Sequence, residues 1–137
     1  MAVDEAEIRA VSLAWKEAFN TGDTAAVLAL YAEDAVLAAP GAPAVLGKAA
    51  IREYFEQTIA AFKAAGLTVA DAPIGDLRAS GDLGFQWMTY RISDRSGAVV
   101  DAGKLLTLYQ RNNGKWMIIG DTWNSDLEAH APQPRQS

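Results

Sequence analysis

The sequence predicts a single α+β domain in which three helices pack on a strongly curved, mostly antiparallel sheet that encloses an apolar pocket. Apolar residues recur at helical spacing in the first half of the chain and alternate with a period of two after Gly66. Turn-forming residues separate the later segments. Helices followed by a long antiparallel meander are typical of helices gathered on one face of a sheet. Because long twisted strands curl, we expect a cone with an open mouth.

Two helices are predicted in the first thirty-one residues. Over residues 4–20 one apolar stripe recurs at helical spacing, formed by Ile8, Val11, Trp15 and Phe19. Gly22 ends this helix, since glycine adopts the left-handed conformation readily. Asp23 caps a second helix, which is expected to carry Val27, Leu28 and Leu30 toward Tyr31.

A short strand and a third helix are predicted next. The strand covers residues 35–39 and ends at the Pro-Gly-Ala-Pro break of residues 40–43, where two prolines remove hydrogen-bond donors. The helix begins near Lys48 and ends before Gly66. Its apolar residues follow spacings of 4, 4 and 3, the pattern of an amphipathic helix, and they are Ile51, Phe55, Ile59 and Phe62.

Four strands are predicted after Gly66, over residues 67–79, 83–93, 99–111 and 115–126. These segments are rich in β-branched and aromatic residues. The last connection contains Asn113-Gly114, and this dipeptide favours a type I′ hairpin because both of its residues accept positive φ.

Length and charge limit the organisation and the partners of the chain. Its 137 residues fit one domain, which we place at residues 1–127, with a flexible tail at 128–137. The net charge of −5 and the absence of a Lys/Arg cluster argue against nucleic acid as a partner. No run approaches the roughly 18 apolar residues of a membrane span, and the acidic start does not resemble a signal peptide. We therefore expect a cytoplasmic protein with no membrane partner.

Several catalytic chemistries lack their residues. There is no cysteine, and the single histidine, His130, lies in the predicted tail. A Ser-His-Asp arrangement or a thiolate nucleophile is therefore not expected. No carboxylates stand at metal-ligand spacing. The sequence predicts no metal site and no cofactor.

A solitary carboxylate lies on the last predicted strand. Strict alternation places Met117, Ile119, Asp121 and Trp123 on one face. Apolar surroundings raise the pKa of a carboxyl group, which makes Asp121 the candidate acid or base. Lys104, predicted on the inner face of the neighbouring strand, is its candidate electrostatic partner. If Lys104 reaches Asp121, the ion pair lowers the pKa and leaves a structural or ligand-orienting role. Both alternatives stay open.

The other candidate ligand contacts are aromatic or aliphatic. They are Trp15, Tyr31, Phe55, Trp87, Tyr90, Leu106, Ile119 and Trp123. Each aromatic residue taken alone is more typical of core packing. Together they favour a flat or apolar ligand, and the hydroxyl groups of Tyr31 and Tyr90 can donate to a carbonyl oxygen.

Three segments carry a family resemblance. Residues 15–36 read W-x-x-A-F-N-T-G-D-T-A-A-V-L-A-L-Y-A-E-D-A-V, residues 46–55 read L-G-K-A-A-I-R-E-Y-F, and residues 114–126 read G-K-W-M-I-I-G-D-T-W-N-S-D. Over about residues 5–126 the chain resembles the SnoaL-like and ketosteroid-isomerase-like families of the nuclear-transport-factor-two-like superfamily. The resemblance implies a cystatin-like roll, a small-molecule pocket and a homodimer formed through the outer face of the sheet.

The same resemblance argues against steroid isomerisation. The family's oxyanion-binding tyrosine falls on Trp15, its general-base aspartate on Ala39 and its protonated aspartate on Leu106. Alanine and leucine can neither take nor donate a proton. The pocket positions that do match are Tyr31, Phe55 and Trp123. The resemblance does not support a dehydratase either, because the dehydratase site of this superfamily depends on histidine and this chain has no histidine before its predicted tail.

Two classes of function follow from the sequence. The first is a cofactor-independent isomerase, cyclase or lyase acting on a small apolar, carbonyl-containing or cyclic compound. In it Asp121 is the acid or base, Lys104 its partner, and Tyr31 or Tyr90 the orienting donor. The second is a non-catalytic small-molecule-binding or dimerisation module. The fold alone does not separate them, because this superfamily hosts both enzymes and binders.

Overall fold

The computed structural model describes residues 2–127 and confirms the predicted α+β class. Three helices and seven strands follow one another as α1 (Ala2–Thr21), α2 (Thr24–Leu28), β1 (Tyr31–Ala38), β2 (Val45–Leu46), α3 (Lys48–Ala65), β3 (Thr68–Pro73), β4 (Arg78–Ser80), β5 (Leu83–Ser93), β6 (Val99–Asn112) and β7 (Lys115–Ser125). The predicted tail at 128–137, with His130, lies outside the described residues.

The helix ends follow the local chemistry of the sequence. Gly22 has a φ of 81° after α1, and the Asp23 carboxylate accepts a hydrogen bond of 3.0 Å from the backbone N–H of Ala26. The second helix ends earlier than predicted, and Tyr31 begins β1 instead. The backbone carbonyl of Leu30 accepts a hydrogen bond of 2.8 Å from the N–H of Ile118, so at this residue the chain already pairs with β7 and no longer continues the helix.

The sheet is mixed and curved. Its strand order is β2-β1-β7-β6-β5-β3, with β4 pairing β5 at one edge. All pairs are antiparallel except β1 with β7. The strand predicted over residues 67–79 is divided into β3 and β4, because Gly75 has a φ of 68° and turns the chain. Along this path the described strands do not close into a barrel.

A β-bulge interrupts the pairing of β6 with β7. Leu108 pairs with Gly120 and Tyr109 pairs with Ile118, so Ile119 is an extra residue without a partner. A bulge moves the alternation of side chains by one residue. Asp121 therefore shares the inner face with Ile118, and the prediction that it shares a face with Met117 and Ile119 is wrong.

Helix α1 is fixed across the inner face by polar contacts with β3. The Asn20 side chain exchanges two hydrogen bonds of 2.9 Å with the backbone of Val69. One turn earlier, Lys16 Nζ lies 3.1 Å from the Asp71 carboxylate. These contacts hold Trp15 and Phe19 above the sheet, where their rings stack at 4.9 Å. Helix α1 thereby forms one wall of the space between helices and sheet.

The buried core lies in the same space between the helices and the sheet, and it shares Phe19 with the wall that α1 forms. Its side chains come from all three helices and from β1 and β7, and they include Ile8, Val27, Tyr31, Leu37, Ile51 and Ile118. Burying such side chains stabilises the fold by about 1.5–3 kcal/mol each. Within residues 2–127, none of the helices combines the length and the apolar character that crossing a membrane requires.

Candidate functional site

A cavity of about 220 Å³ opens between helices α1 and α3 and the inner face of the sheet. Its walls are mainly aromatic and aliphatic, and they include Trp15, Phe19, Phe55, Met88, Leu105 and Trp123. In a mainly apolar cavity the polar groups at the wall fix the orientation of a ligand.

Asp121 borders this cavity on β7. Its Oδ2 accepts a hydrogen bond of 2.9 Å from the Tyr31 hydroxyl, and its Oδ1 accepts one of 3.3 Å from Thr107. Burial disfavours the charged form and raises the pKa of Asp121 from 3.8 to about 6, although both hydrogen bonds act in the opposite direction. The carboxyl group therefore titrates within one to two pH units of neutrality.

Tyr31 stands behind Asp121 and links it to helix α1. The Trp15 Nε1–H donates to the Tyr31 hydroxyl oxygen at 3.0 Å, while the Tyr31 hydroxyl donates to Asp121. Burial and the neighbouring Asp121 charge raise the pKa of Tyr31 well above its usual value. Tyr31 thus stays protonated with its one proton committed to Asp121, so it does not serve as the carbonyl donor that the sequence suggested.

The structure brings five of the predicted site residues to the cavity wall, and these are Trp15, Phe55, Tyr90, Asp121 and Trp123. Ile119, the bulge residue, is not among the lining residues. Tyr90 donates to Asp101 at 3.4 Å, and burial raises its pKa to about 12. Its hydroxyl group therefore stays protonated and already has an acceptor.

Three predicted site residues lie on the outer face of the sheet. Two of them, Lys104 and Leu106, do so because the inward side chains of β6 are one position away from the expected ones, and the third, Trp87, is the partner of Leu106 on β5. Lys104 pairs with Asp126 rather than with Asp121. Leu106 pairs across the sheet with Trp87, whose side chain is 46% exposed. Neither Leu106 nor Trp87 reaches the cavity. Of the two alternatives left open for Asp121, the ion pair with Lys104 is the one that the structure contradicts.

Sequence reasoning missed the hydroxyl groups at the cavity wall that belong to Ser12, Tyr54, Thr58, Thr107 and Tyr109. The two tyrosines lie near enough to Asp121 for its charge to raise their pKa values, in addition to the effect of burial. If the large aromatic Tyr109 had been assigned to the inner face, the regular alternation of β6 would have placed Thr107 on that face as well.

A Tyr31→Phe substitution tests the contact behind Asp121. We expect the pKa of Asp121 to rise above about 6, because the strongest hydrogen bond to its charged form is lost. The free energy of unfolding should fall by about 1–3 kcal/mol, because Trp15 also loses its acceptor. A carboxyl-carbon NMR titration measures the pKa directly. In the control variant Tyr90→Phe, which removes a hydroxyl bonded to Asp101, the pKa of Asp121 should stay in place. An unchanged titration of Asp121 in the Tyr31→Phe protein would contradict the assignment.

Metal ligation finds little support in this part of the chain. Within residues 2–127, no three acidic or histidine side chains cluster closely enough to hold an ion. The polar groups at the cavity wall are instead hydroxyls and single carboxylates.

The sequence matches the model of the SnoaL-like domain over residues 13–119. Solved structures similar to this chain include a ketosteroid isomerase-like protein from Erwinia carotovora atroseptica, with 26% identity, a TM-score of 0.73, and 90% of this chain and 97% of that chain covered. A protein of unknown function from Nostoc punctiforme with a cystatin-like fold has 20% identity and a TM-score of 0.81, over 92% of this chain and 93% of that chain.

A nuclear-transport-factor-two-like protein from Novosphingobium aromaticivorans, also with a cystatin-like fold, has 21% identity and a TM-score of 0.79. The match covers 89% of this chain and 82% of that chain. No curated protein matches the sequence. The structural matches confirm the predicted cystatin-like fold.

Proposed function

Because the chain belongs to the SnoaL-like domain family, we propose that its cavity binds a small apolar, carbonyl-containing or cyclic molecule and that Asp121 transfers a proton on it. One observation carries the proposal. The Asp121 carboxylate borders an apolar cavity with hydroxyl partners only, and the ion pairs among residues 2–127 do not include it. A buried carboxylate without a cation is costly to the fold, and such groups are frequent at functional sites.

The position of Asp121 suits proton abstraction next to a carbonyl group. Above pH 6 its ionised form can take a proton from carbon, and the neutral acid that results can return this proton to another carbon. The Tyr54 and Tyr109 hydroxyls line the same cavity and keep their protons at neutral pH. Either of them can donate a hydrogen bond to the oxygen on which negative charge develops. This sequence of steps gives an isomerase, and with ring closure or bond cleavage a cyclase or lyase.

The alternative function is ligand binding without chemistry. Both Asp121 oxygens already accept a hydrogen bond, one from Tyr31 and one from Thr107. A carboxylate held from both sides can orient a polar ligand or fix the helices on the sheet. In that case the cavity binds a ligand, and the proton of Asp121 stays where it is.

Exchange of carbon-bound hydrogen for deuterium separates the two functions without knowledge of the natural substrate. Cyclohexanone and 3-cyclohexenone are incubated with the protein in D₂O, and loss of the α-proton signal is followed by NMR. We expect catalysed exchange whose rate rises with pH through about 6, as Asp121 loses its proton. The Asp121→Asn variant should lose about 100-fold or more of this rate.

A second substitution controls for the loss of one negative charge. Asp34 is an exposed carboxylate on β1, and the Asp34→Asn protein should exchange the ketones as fast as the wild type does. Equal rates in the wild-type and Asp121→Asn proteins would remove Asp121 from the chemistry. Ketone binding without any exchange above background would favour the binding module.

We also propose that two copies of the chain pair through the outer face of the sheet. Several large apolar side chains on strands β1, β2, β5 and β6 are at least 40% exposed, and they include Val36, Leu46, Trp87 and Leu108. The strand register links three of them, because Val36 pairs with Leu46 and with Gly120, which in turn pairs with Leu108. Trp87 pairs with Leu106, two residues from Leu108 on the same face of β6. A contiguous apolar patch of this kind is typical of an interface.

A Trp87→Asp substitution tests this interface. We expect the wild type to sediment as a dimer in analytical ultracentrifugation, and the variant to dissociate with a dimer constant weakened by about 100-fold, as is usual for a central aromatic residue. Leu13→Asp is the matched control, because Leu13 is 60% exposed but lies on α1. A monomeric wild type, or dissociation in both variants alike, would count against the outer face as the dimer interface.

A further inference from the structure

The cavity wall carries negative charge but no cation. Two carboxylates, Asp71 and Asp121, line it, and no Lys or Arg is among the lining residues. Asp71 is neutralised from outside the wall by Lys16, whose Nζ lies 3.1 Å away. Asp121 has no such partner among residues 2–127. The ionised Asp121 therefore leaves one uncompensated negative charge in an apolar space.

Aromatic rings surround this charge. Tyr54 and Trp123 meet edge to face with ring centroids 6.3 Å apart, and both line the cavity. Trp15 and Phe55, at a centroid distance of 6.2 Å, form the wall on the helix side. The face of an aromatic ring attracts a cation and repels an anion. A ring that turns its face toward the ligand therefore favours the same sign of charge as the carboxylate does.

Asp121 also retains capacity to bind. A carboxylate offers about four acceptor positions, and Asp121 accepts one hydrogen bond at each oxygen, that of Thr107 being long at 3.3 Å. A ligand ammonium can approach the remaining lone pairs from the cavity and form a charge-assisted hydrogen bond. A ligand carboxylate would meet repulsion there and find no Lys or Arg on the cavity wall.

From these contacts we propose that the cavity selects a small cyclic or aromatic amine, bound as its ammonium form to Asp121, and rejects a carboxylate of the same shape. An apolar cavity of roughly 150 Å³ binds benzene, so a cavity of about 220 Å³ accommodates one ring with a short amine-bearing arm. The inference rests on the proposed function only in taking this cavity as the ligand site, and it does not require that Asp121 moves a proton.

Three compounds of nearly equal shape test the proposal by isothermal titration calorimetry at pH 7.5, namely benzylamine, benzyl alcohol and benzoate. Benzylamine should bind at least tenfold more tightly than benzyl alcohol, and benzoate more weakly than either. In the Asp121→Asn protein, affinity for benzylamine should fall to that for benzyl alcohol, which itself should change by less than about threefold. The Asp34→Asn protein should keep the wild-type order of affinities.

The pH dependence gives a second readout in the wild-type protein alone. Affinity for benzylamine should decrease as the pH falls below about 6, where Asp121 takes up a proton. The titratable groups that face Asp121 are Tyr31 from β1, Tyr54 from α3 and Tyr109 from β6, and all three keep their protons in this range. The other charged group on the wall is Asp71 of β3, which pairs with Lys16 of α1 from outside the wall. Affinity for benzyl alcohol should stay constant over the same range.

Three results would overturn the proposal. The first is benzoate binding as tightly as benzylamine, the second is a preference for the amine that survives in the Asp121→Asn protein, and the third is no binding of any of the three compounds. Catalysed exchange of ketone protons alongside any of these results would leave the proposed function standing. If the protein neither binds the three compounds nor catalyses the exchange of ketone protons, both this proposal and the proposed function are ruled out.

Discussion

The Asp121→Asn protein is expected to be more stable than the wild type at pH 7.5, by about 2–3 kcal/mol in the free energy of unfolding. Asparagine has nearly the shape of aspartate, and its oxygen can still accept the hydrogen bond from Tyr31. It does not carry the charge that burial beside the cavity disfavours. The gain should be visible in urea unfolding followed by tryptophan fluorescence, since the chain has four tryptophans.

The pH dependence of this gain follows from the raised pKa of Asp121. A group whose pKa is higher in the folded state than in the unfolded state stabilises the fold fully below the unfolded value, and this stabilisation is lost as the pH rises through the folded value. For Asp121 the two values are 3.8 and about 6. Between pH 8 and pH 5 the difference between the Asp121→Asn and wild-type proteins should therefore shrink by about 1.4 kcal/mol.

The control for the lost charge is again Asp34→Asn, at an exposed site on β1. Its stability should differ from that of the wild type by less than about 0.5 kcal/mol at either pH. An Asp121→Asn protein that is less stable than the wild type at pH 7.5 would show that the contacts of Tyr31 and Thr107 with Asp121 outweigh the cost of burying its charge.

A Gly103→Ala substitution is expected to be the most destabilising of the glycine-to-alanine substitutions in residues 2–127. The new Cβ would overlap the backbone carbonyl oxygen of Asn124 and lie 2.7 Å from the Tyr90 hydroxyl. Neither neighbour moves freely, because one belongs to the β6–β7 ladder and the other is buried at the cavity wall. We expect a loss of about 3 kcal/mol or more, seen as a fall of about 10 °C in Tm.

Gly120→Ala is the matched comparison on the next strand. There the added Cβ would meet only the Leu108 side chain, at 3.0 Å, and that side chain can rotate away into the exposed outer face. A change within about 1 kcal/mol is expected. Equal losses in the two variants would mean that the close approach of β6 and β7 at Gly103 is less rigid than the structure indicates.

The sequence was sufficient for the fold class and for helices α1 and α3, whose signals are local. The end of α2 was predicted too late, because Tyr31 pairs with β7. The spacing of Ile51, Phe55 and Ile59 matches one helical face, and Gly66 ends α3 with a φ of 70°. A capping carboxylate or a glycine acts within one turn of the chain. Such features do not depend on which strand lies next to which, and the sequence pattern carries them completely.

The direction of side chains in β6 depends on partners far away in sequence. Leu105 and Leu106 are adjacent, so either alternation gives an apolar face, and the choice is made by packing against the helices. The prediction placed Lys104 and Leu106 inward. In the structure Thr107 and Tyr109 line the cavity instead, and Lys104 reaches Asp126 on the other side. Because the alternation of β6 was assigned one residue out of phase, Lys104 was considered as the partner of Asp121. The groups that lie there are hydroxyls.

The bulge at Ile119 behaves like a frameshift within β7. Before it, Trp116 and Ile118 are the inward residues, and after it the inward residues are Asp121 and Trp123. A relative whose strand pairs regularly can be compared with this chain only if the alignment leaves one gap at residue 119, because an ungapped comparison sets the carboxylate against an outward position. The length of the strand, more than the identity of any residue in it, decides on which face of the sheet the Asp121 carboxylate lies.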